Sequence, residues 1–169
     1  MRIIVYDTDM LELNPMHTVR DAEVDRIVGY LNADTKLRKY LRPSDSVAPR
    51  INKVGYIKRL DAWCNKSSAK VFVITLDDRA IGTISLVLPV DGRARTGYWL
   101  SSEYWGIGIG TRAFSLLLDE AKRLGAQEIS GDVSVLNLAS LCMWRRQGAH
   151  EQLGHDGMAQ FTLNLVPAY

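Results

Sequence analysis

Apolar and polar positions along this chain alternate between a period of two and a period of about 3.6, and the order of those periods predicts an architecture. Arg2 to Asp7 reads as a short strand, Asp7-Thr8-Asp9 as a turn, and Met10 to Met16 as an extended piece with Leu11 and Leu13 on one face. From Thr18 to Leu31, Val19, Ala22, Val24, Ile27, Val28 and Leu31 recur at helical spacing, with Thr18 or Asp21 as the cap. Lys36 to Arg42 is a basic turn, Arg42-Pro43-Ser44-Asp45 breaks the chain, and Pro49 suits the first turn of a second helix running to about Cys64. Three β-rich runs follow, Val71 to Leu76, Ala80 to Leu88 and Ala94 to Leu100, joined by short turns as in an antiparallel meander.

A strongly amphipathic helix from Thr111 to Leu124, ended by Gly125, separates that meander from a strand at Gln127 to Val135. A helix between two strands predicts that Ala94–Leu100 and Gln127–Val135 are parallel neighbours. A helix from Asn137 to Gln147, capped by Asn137, and a hairpin of Ala149–Leu153 with Met158–Val166 complete the order. The expected class is α/β with an α+β mixed sheet: about seven strands, helices on both faces, and a single domain over residues 1–169.

Composition narrows the function classes. An apolar fraction of 47% over 169 residues suits one core, and a net charge of +2 with interspersed signs shows no footprint for nucleic acid or a membrane surface. The N-terminal stretch has no signal-peptide core and no run reaches membrane-spanning length, so a cytoplasmic protein is expected. Cys64 and Cys142 are too few and too far apart to suggest a disulfide framework or a zinc site. His150, Glu151 and His155 gather near the last hairpin without a fourth ligand, and a surface role is expected for them. The charges of Lys36–Arg42 and Arg50–Arg59 read as solvated helix surface.

The chemistry concentrates between the strand ending at Leu100 and the helix opening at Thr111. There Trp105-Gly106-Ile107-Gly108-Ile109-Gly110 places three glycines where a strand feeds a helix N-terminus, which exposes backbone N–H groups to an anion. Gly110 is followed by Thr111-Arg112 rather than Lys-Ser/Thr, which excludes a P-loop. The loop also comes too late in the chain for a dinucleotide-binding βαβ unit.

These residues resemble motif A of the GCN5-related N-acetyltransferases (GNAT). Gly97-Tyr98-Trp99-Leu100 followed by Glu103-Tyr104-Trp105-Gly106-Ile107-Gly108 is closest to the subset that acetylates the N-termini of ribosomal proteins, and Asn137-x-x-Ser140-x-x-Met143-Trp144-x-Arg146-x-Gly148-Ala149 is similar to a second family motif. The resemblance implies acetyl-CoA as co-substrate, no metal, and a split between two parallel strands that takes the pantetheine arm. It implies cofactor contacts from the backbone of Tyr98, Trp99 and Leu100, from the amides of Gly106, Ile107, Gly108, Ile109, Gly110 and Thr111, and from Asn137.

Two departures stand out. Ile107 replaces a common basic residue, with Arg112, Arg145 or Arg146 as substitute cations, and Trp144 replaces a Tyr that serves many relatives as the acid for the departing thiolate. The resemblance offers Ser140 to steady the thiolate, with water as the other proton donor, and Asp132 as base or amine anchor, while Ser140 reads equally as a helix hydroxyl and Asp132 alternatively as a structural carboxylate paired with an Arg or a backbone N–H. Trp63, Tyr56 and Tyr40 are available as walls of an acceptor cleft, and Glu151 as its border. The implied reaction is direct acetyl transfer to a primary amine, of a protein N-terminus or of a small molecule such as an aminoglycoside or amino sugar. A homodimer stays open, and a non-catalytic acyl-CoA-binding module is the alternative.

Overall fold

The computed structural model describes residues 10–41, 49–154 and 156–166. The Arg2–Asp7 strand, the turn after it, the break at Arg42–Asp45 and His155 lie outside the described residues. Within them the chain runs β1 (Leu11–Pro15), α1 (Asp21–Ala33), α2 (Thr35–Leu41), α3 (Lys53–Ser67), β2 (Ala69–Leu76), β3 (Arg79–Val90), β4 (Arg93–Leu100), α4 (Ile109–Arg123), β5 (Glu128–Ser134), α5 (Leu138–Arg146), β6 (His150–Leu153) and β7 (Met158–Asn164). The strands form one seven-stranded mixed sheet in the order β1-β2-β3-β4-β5-β7-β6. All neighbours are antiparallel except β4 and β5, which are parallel.

Alternation along the strands sends side chains to two cores. Phe72, Ile74, Ile84, Ala94 and Ile129 pack with Phe114 and Leu117 of α4 and with Leu141 and Trp144 of α5. On the opposite face Val73 and Ala80 pack with Ile27 of α1, and Tyr56 of α3 and Trp99 of β4 close over them. The helices therefore lie on both faces, as the pattern predicts.

Several boundaries differ from the expectation for identifiable reasons. Lys36 to Leu41 is helical rather than a turn, because Asp34 accepts from the Leu37 N–H and caps it. The next helix starts at Lys53, not near Pro49, because Asn52 supplies the cap through the Gly55 N–H. Neither Thr18 nor Asp21 caps α1; its cap position is Arg20, and no side chain bonds there. Gly125 and Gly148 end α4 and α5 in the left-handed conformation that only glycine adopts freely. Among the described residues, no helix is long and apolar enough to cross a membrane.

Candidate active site

The parallel ladder between β4 and β5 covers only Arg93↔Glu128, Ala94↔Ile129 and Arg95↔Ser130. Both strands continue, β4 to Leu100 and β5 to Ser134, each held on its outer side by β3 and β7 respectively. From Thr96 and Gly131 onward the two inner edges diverge, so a split with hydrogen-bonding backbone on both walls opens in the middle of the sheet. At the branch point Gly131 has no Cβ because one would lie 2.8 Å from the Trp144 indole. Trp144 is buried, edge-on to Phe114 at 4.7 Å and stacked on Phe161 at 5.6 Å. The residue that departs from the family pattern is thus a core wedge beneath the split.

The glycine loop sits at the open end of that split. Gly106 and Gly108 have φ of 76° and 86°, a region that costs a β-carbon-bearing residue about 1 kcal/mol or more. Gly108 is the cap position of α4, and no side chain caps the helix there, so its first amides are available to a ligand. Gly110 differs from them: a Cβ there would meet Leu100 Cδ1 at 3.4 Å, an ordinary packing distance, so its place against β4 does not depend on glycine. Ile109 is buried and fixes the first turn, whereas Ile107 projects from the loop into solvent.

Residues far apart in sequence hold the loop in place. Asp34, at the junction of α1 and α2, accepts from the Ser102 N–H at 2.6 Å and from the Ser101 hydroxyl at 3.3 Å. Burial pushes the Asp34 carboxyl up, but its bonds from the Leu37 and Ser102 amides and the Ser101 and Ser102 side chains outweigh that and leave it below its ordinary value. Tyr40 of α2 meets Trp105 edge-on at 5.3 Å, so it braces the loop rather than walling a cleft. The Trp105 indole donates to the Leu100 carbonyl at 2.9 Å, which occupies one of the two lone pairs of a group expected to face the cofactor. Gly82 is equally necessary: a Cβ there would fall 2.2 Å from the Trp99 carbonyl, so only glycine lets β3 hold the end of β4 this closely.

The two expected catalytic residues lie on opposite faces of the sheet. Asp132 projects on the same side as Arg95, and their side chains form an ion pair, Arg95 Nη2 to Asp132 Oδ2, across the mouth of the split. Ser140 is buried in the first turn of α5, where the Asn137 side chain accepts from its N–H at 3.2 Å. Its hydroxyl lies 2.8 Å from the Tyr98 hydroxyl. Tyr98 therefore reaches from β4 beneath the split to α5, and burial pushes its phenol above the ordinary value, against a lesser opposing effect from the Ser140 bond. At neutral pH it is a protonated donor.

A cavity of about 610 Å³ opens on the α1–α3 side of the sheet. Tyr56 and Trp63 line it as expected, together with Trp99 from the diverging part of β4. Arg38, Arg50 and Arg59 also line it; Arg50 and Arg59 are exposed, in keeping with their reading as solvated surface, while Arg38 is half-buried, and all three border this one space. Glu151 is taken by Arg145 in a two-pronged ion pair at 2.7 and 2.8 Å. Arg145 is thereby committed to the β6 edge, and Glu151 is not among the residues lining this cavity. Among the described residues, no group of His, Cys, Asp and Glu is placed to hold a metal.

The profile of the Acetyltransferase (GNAT) domain matches residues 11–150. The chain belongs to the GNAT acetyltransferase family. A curated relative within reach of this GNAT chain is a Bacillus subtilis (strain 168) protein named "Probable N-acetyltransferase YjcK", 36% identical over 80 residues, which is 45% of this chain and 44% of that protein's length. Among solved structures, the RimL ribosomal L7/L12 alpha-N-protein acetyltransferase in complex with coenzyme A superposes with a TM-score of 0.72 at 19% identity, covering 92% of this chain and 94% of that one. Campylobacter jejuni N-acetyltransferase PseH in complex with acetyl coenzyme A gives a TM-score of 0.68 at 17% identity, with coverage of 91% and 98%. At these identities the two structures speak for the fold alone.

Proposed function

We propose that this chain is a single-domain, acetyl-CoA-dependent N-acetyltransferase acting on a primary amine by direct attack in a ternary complex. The observation that carries the reading is the β4–β5 ladder, which stops after three pairs beside a helix N-terminus that no side chain caps. Unpaired strand edges offer N–H and C=O groups to the amides of a pantetheine arm as another strand would. The exposed amides and dipole of α4 suit a pyrophosphate, so the residues present fit the cofactor.

In this reading the backbone of Tyr98, Trp99 and Leu100 holds the pantetheine arm, aided by the Asn137 side chain. The amides from Gly106 to Thr111 hold the pyrophosphate. Ile107 supplies no cation, so backbone donors carry most of that contact. On the acceptor side, Arg95 binds Asp132 through Oδ2 and leaves Oδ1 to orient the amine and take its proton, directly or through water. The amine nitrogen bonds to the acetyl carbon, the carbon–sulfur bond breaks, and the electron pair leaves on sulfur. On the other face, the Tyr98–Ser140 hydroxyl pair gives the departing thiolate a hydrogen bond and a proton that Trp144 cannot supply. A cytoplasmic setting accords with two free cysteines, Cys64 and Cys142.

The test combines two measurements on one preparation. Acetyl-CoA should raise the melting temperature, as a ligand that binds only the folded state must, and an amine panel should release free CoA thiol. A melting curve unmoved by millimolar acetyl-CoA would sink the assignment. Stabilisation with no thiol release from any amine would favour an acyl-CoA-binding module, in which the Asp132–Arg95 pair is structural.

A further inference from the structure

We propose that the acceptor of this enzyme is a small anionic amine, one whose flat ring and oxyanion, phosphate or carboxylate, occupy the cavity between the α1–α3 helices and β4. The proposal rests on the acetyltransferase reading and adds the substrate class. Trp99 connects the cavity to the reacting centre, because it lies on the diverging end of β4 and, two residues apart along the strand, shares a face with Gly97 and with Arg95, the partner of Asp132.

The charge of the cavity is one-sided. Arg38, Arg50 and Arg59 line it, and among the described residues no carboxylate does. Arg20, Arg26, Arg93, Arg95, Arg123 and Arg145 all form ion pairs elsewhere, whereas none of the three cavity arginines does among the described residues. Three guanidinium groups around one space repel one another until an anion enters, and their forked donors match the oxygens of a phosphate or carboxylate. The opposite ligand, a polycationic amine, would meet only repulsion.

The rest of the lining specifies shape. Tyr56, Trp63 and Trp99 present aromatic surface on which a flat ring can lie and against which a guanidinium can stack. The rim is built rather than incidental: the Asn32 side chain bonds both the N–H and the C=O of Ile51 at 2.8 Å, which clamps the segment carrying Arg50 to α1. Asn32 also accepts from Arg38 through its backbone carbonyl at 3.4 Å. A volume of about 610 Å³ falls in the usual range for a small molecule.

Calorimetry on the protein saturated with acetyl-CoA, which keeps anionic probes out of the cofactor site, tests this with three ring-matched probes: phenyl phosphate, phenylacetate and benzylammonium. The expected result is that at least one anion binds about tenfold or more tighter than benzylammonium, the two anionic arms telling phosphate from carboxylate. Arg50→Gln with Arg59→Gln should abolish that preference while acetyl-CoA still binds, which shows that the variant is folded. Equal or tighter binding of benzylammonium, or no anion binding at millimolar concentration, would overturn the proposal. The two readings fail separately: if anions bind but no amine in any class releases thiol, the acetyltransferase assignment falls, and if polycationic amines are the preferred acceptors, only the substrate class falls.

Discussion

Asp132 and Arg95 face each other because parallel strands carry them on one face of the sheet, Arg95 in the last pair of the ladder and Asp132 two residues beyond that pair. Asp132 is exposed at the mouth of the split, and its partner there is a half-exposed arginine rather than the backbone. Asp132→Asn should keep acetyl-CoA affinity while lowering kcat/KM by about 100-fold, the lower end of what a positioned proton acceptor contributes. Steady-state kinetics together with the acetyl-CoA-dependent melting shift would show it, and an unchanged kcat/KM would make the carboxylate purely structural. Tyr98 and Ser140 form the second pair, and their effects should not add. If the two hydroxyls act as one unit, Tyr98→Phe, Ser140→Ala and the double variant should all lower kcat to a similar degree. Multiplicative losses would show that the hydroxyls act separately.

At the scale of elements, the loop between β4 and α4 depends on two of its glycines. Gly106 and Gly108 hold left-handed backbone, whereas a Cβ at Gly110 would make an ordinary contact with Leu100. Gly108→Val should therefore weaken acetyl-CoA binding by about tenfold or more, since about 1–2 kcal/mol of backbone strain is relieved by turning the amides away from the site. Titration of acetyl-CoA by calorimetry would detect it, and wild-type affinity would reduce the loop to a turn. Across the split, Gly131 and Trp144 are complementary shapes. Gly131→Ala places a methyl 2.8 Å from a buried indole and should destabilise the fold by about 1–3 kcal/mol in denaturant unfolding.

For the molecule as a whole, two carboxylates bind the helical layer to the sheet. Buried Glu23 of α1 accepts from the Ala80 N–H at 2.7 Å, and Asp34 ties the α1–α2 junction to Ser101 and Ser102. Burial pushes the Glu23 carboxyl up, yet the Ala80 amide and the nearby Arg26 and Arg20 bring it below its ordinary value, as the amides do for Asp34. A lowered folded-state value means that each contributes stability in full above its unfolded value, near 4.5 for Glu23 and 3.8 for Asp34, and loses it as pH falls through the folded value. Thermal melting followed from pH 6 down to about pH 3 should steepen below those values, and Asp34→Asn should flatten that slope. Equal acid sensitivity in the variant would remove Asp34 from the account.

Much of this was legible in one dimension because it depends on local physics. Periodicity located every described strand and, of the helices, all but the short α2, since most elements must bury one face. The loop and the Asn137 cap were readable because glycines and cap residues act on their own backbone. The parallel pairing of β4 and β5 followed from the helix between them. What escaped was set by neighbours distant in the chain. The short, charged α2 read as a turn because its cap, Asp34, also belongs to the loop 68 residues on. Gly82 carried no local signal, for its role is to let the end of β4 pass close by. Arg38, Arg50 and Arg59 gave no sign in the sequence that they border one cavity, because α2, α3 and the segment before α3 come together only in space. The sequence alone determined the family, the fold class and the place of the glycine loop between a strand and a helix, all of which rest on short-range spacing. Only the tertiary structure decided which arginine meets Asp132, which tyrosine meets Ser140, and that Arg38, Arg50 and Arg59 border one cavity, because electrostatic partnership depends on distance in space and not on order along the chain.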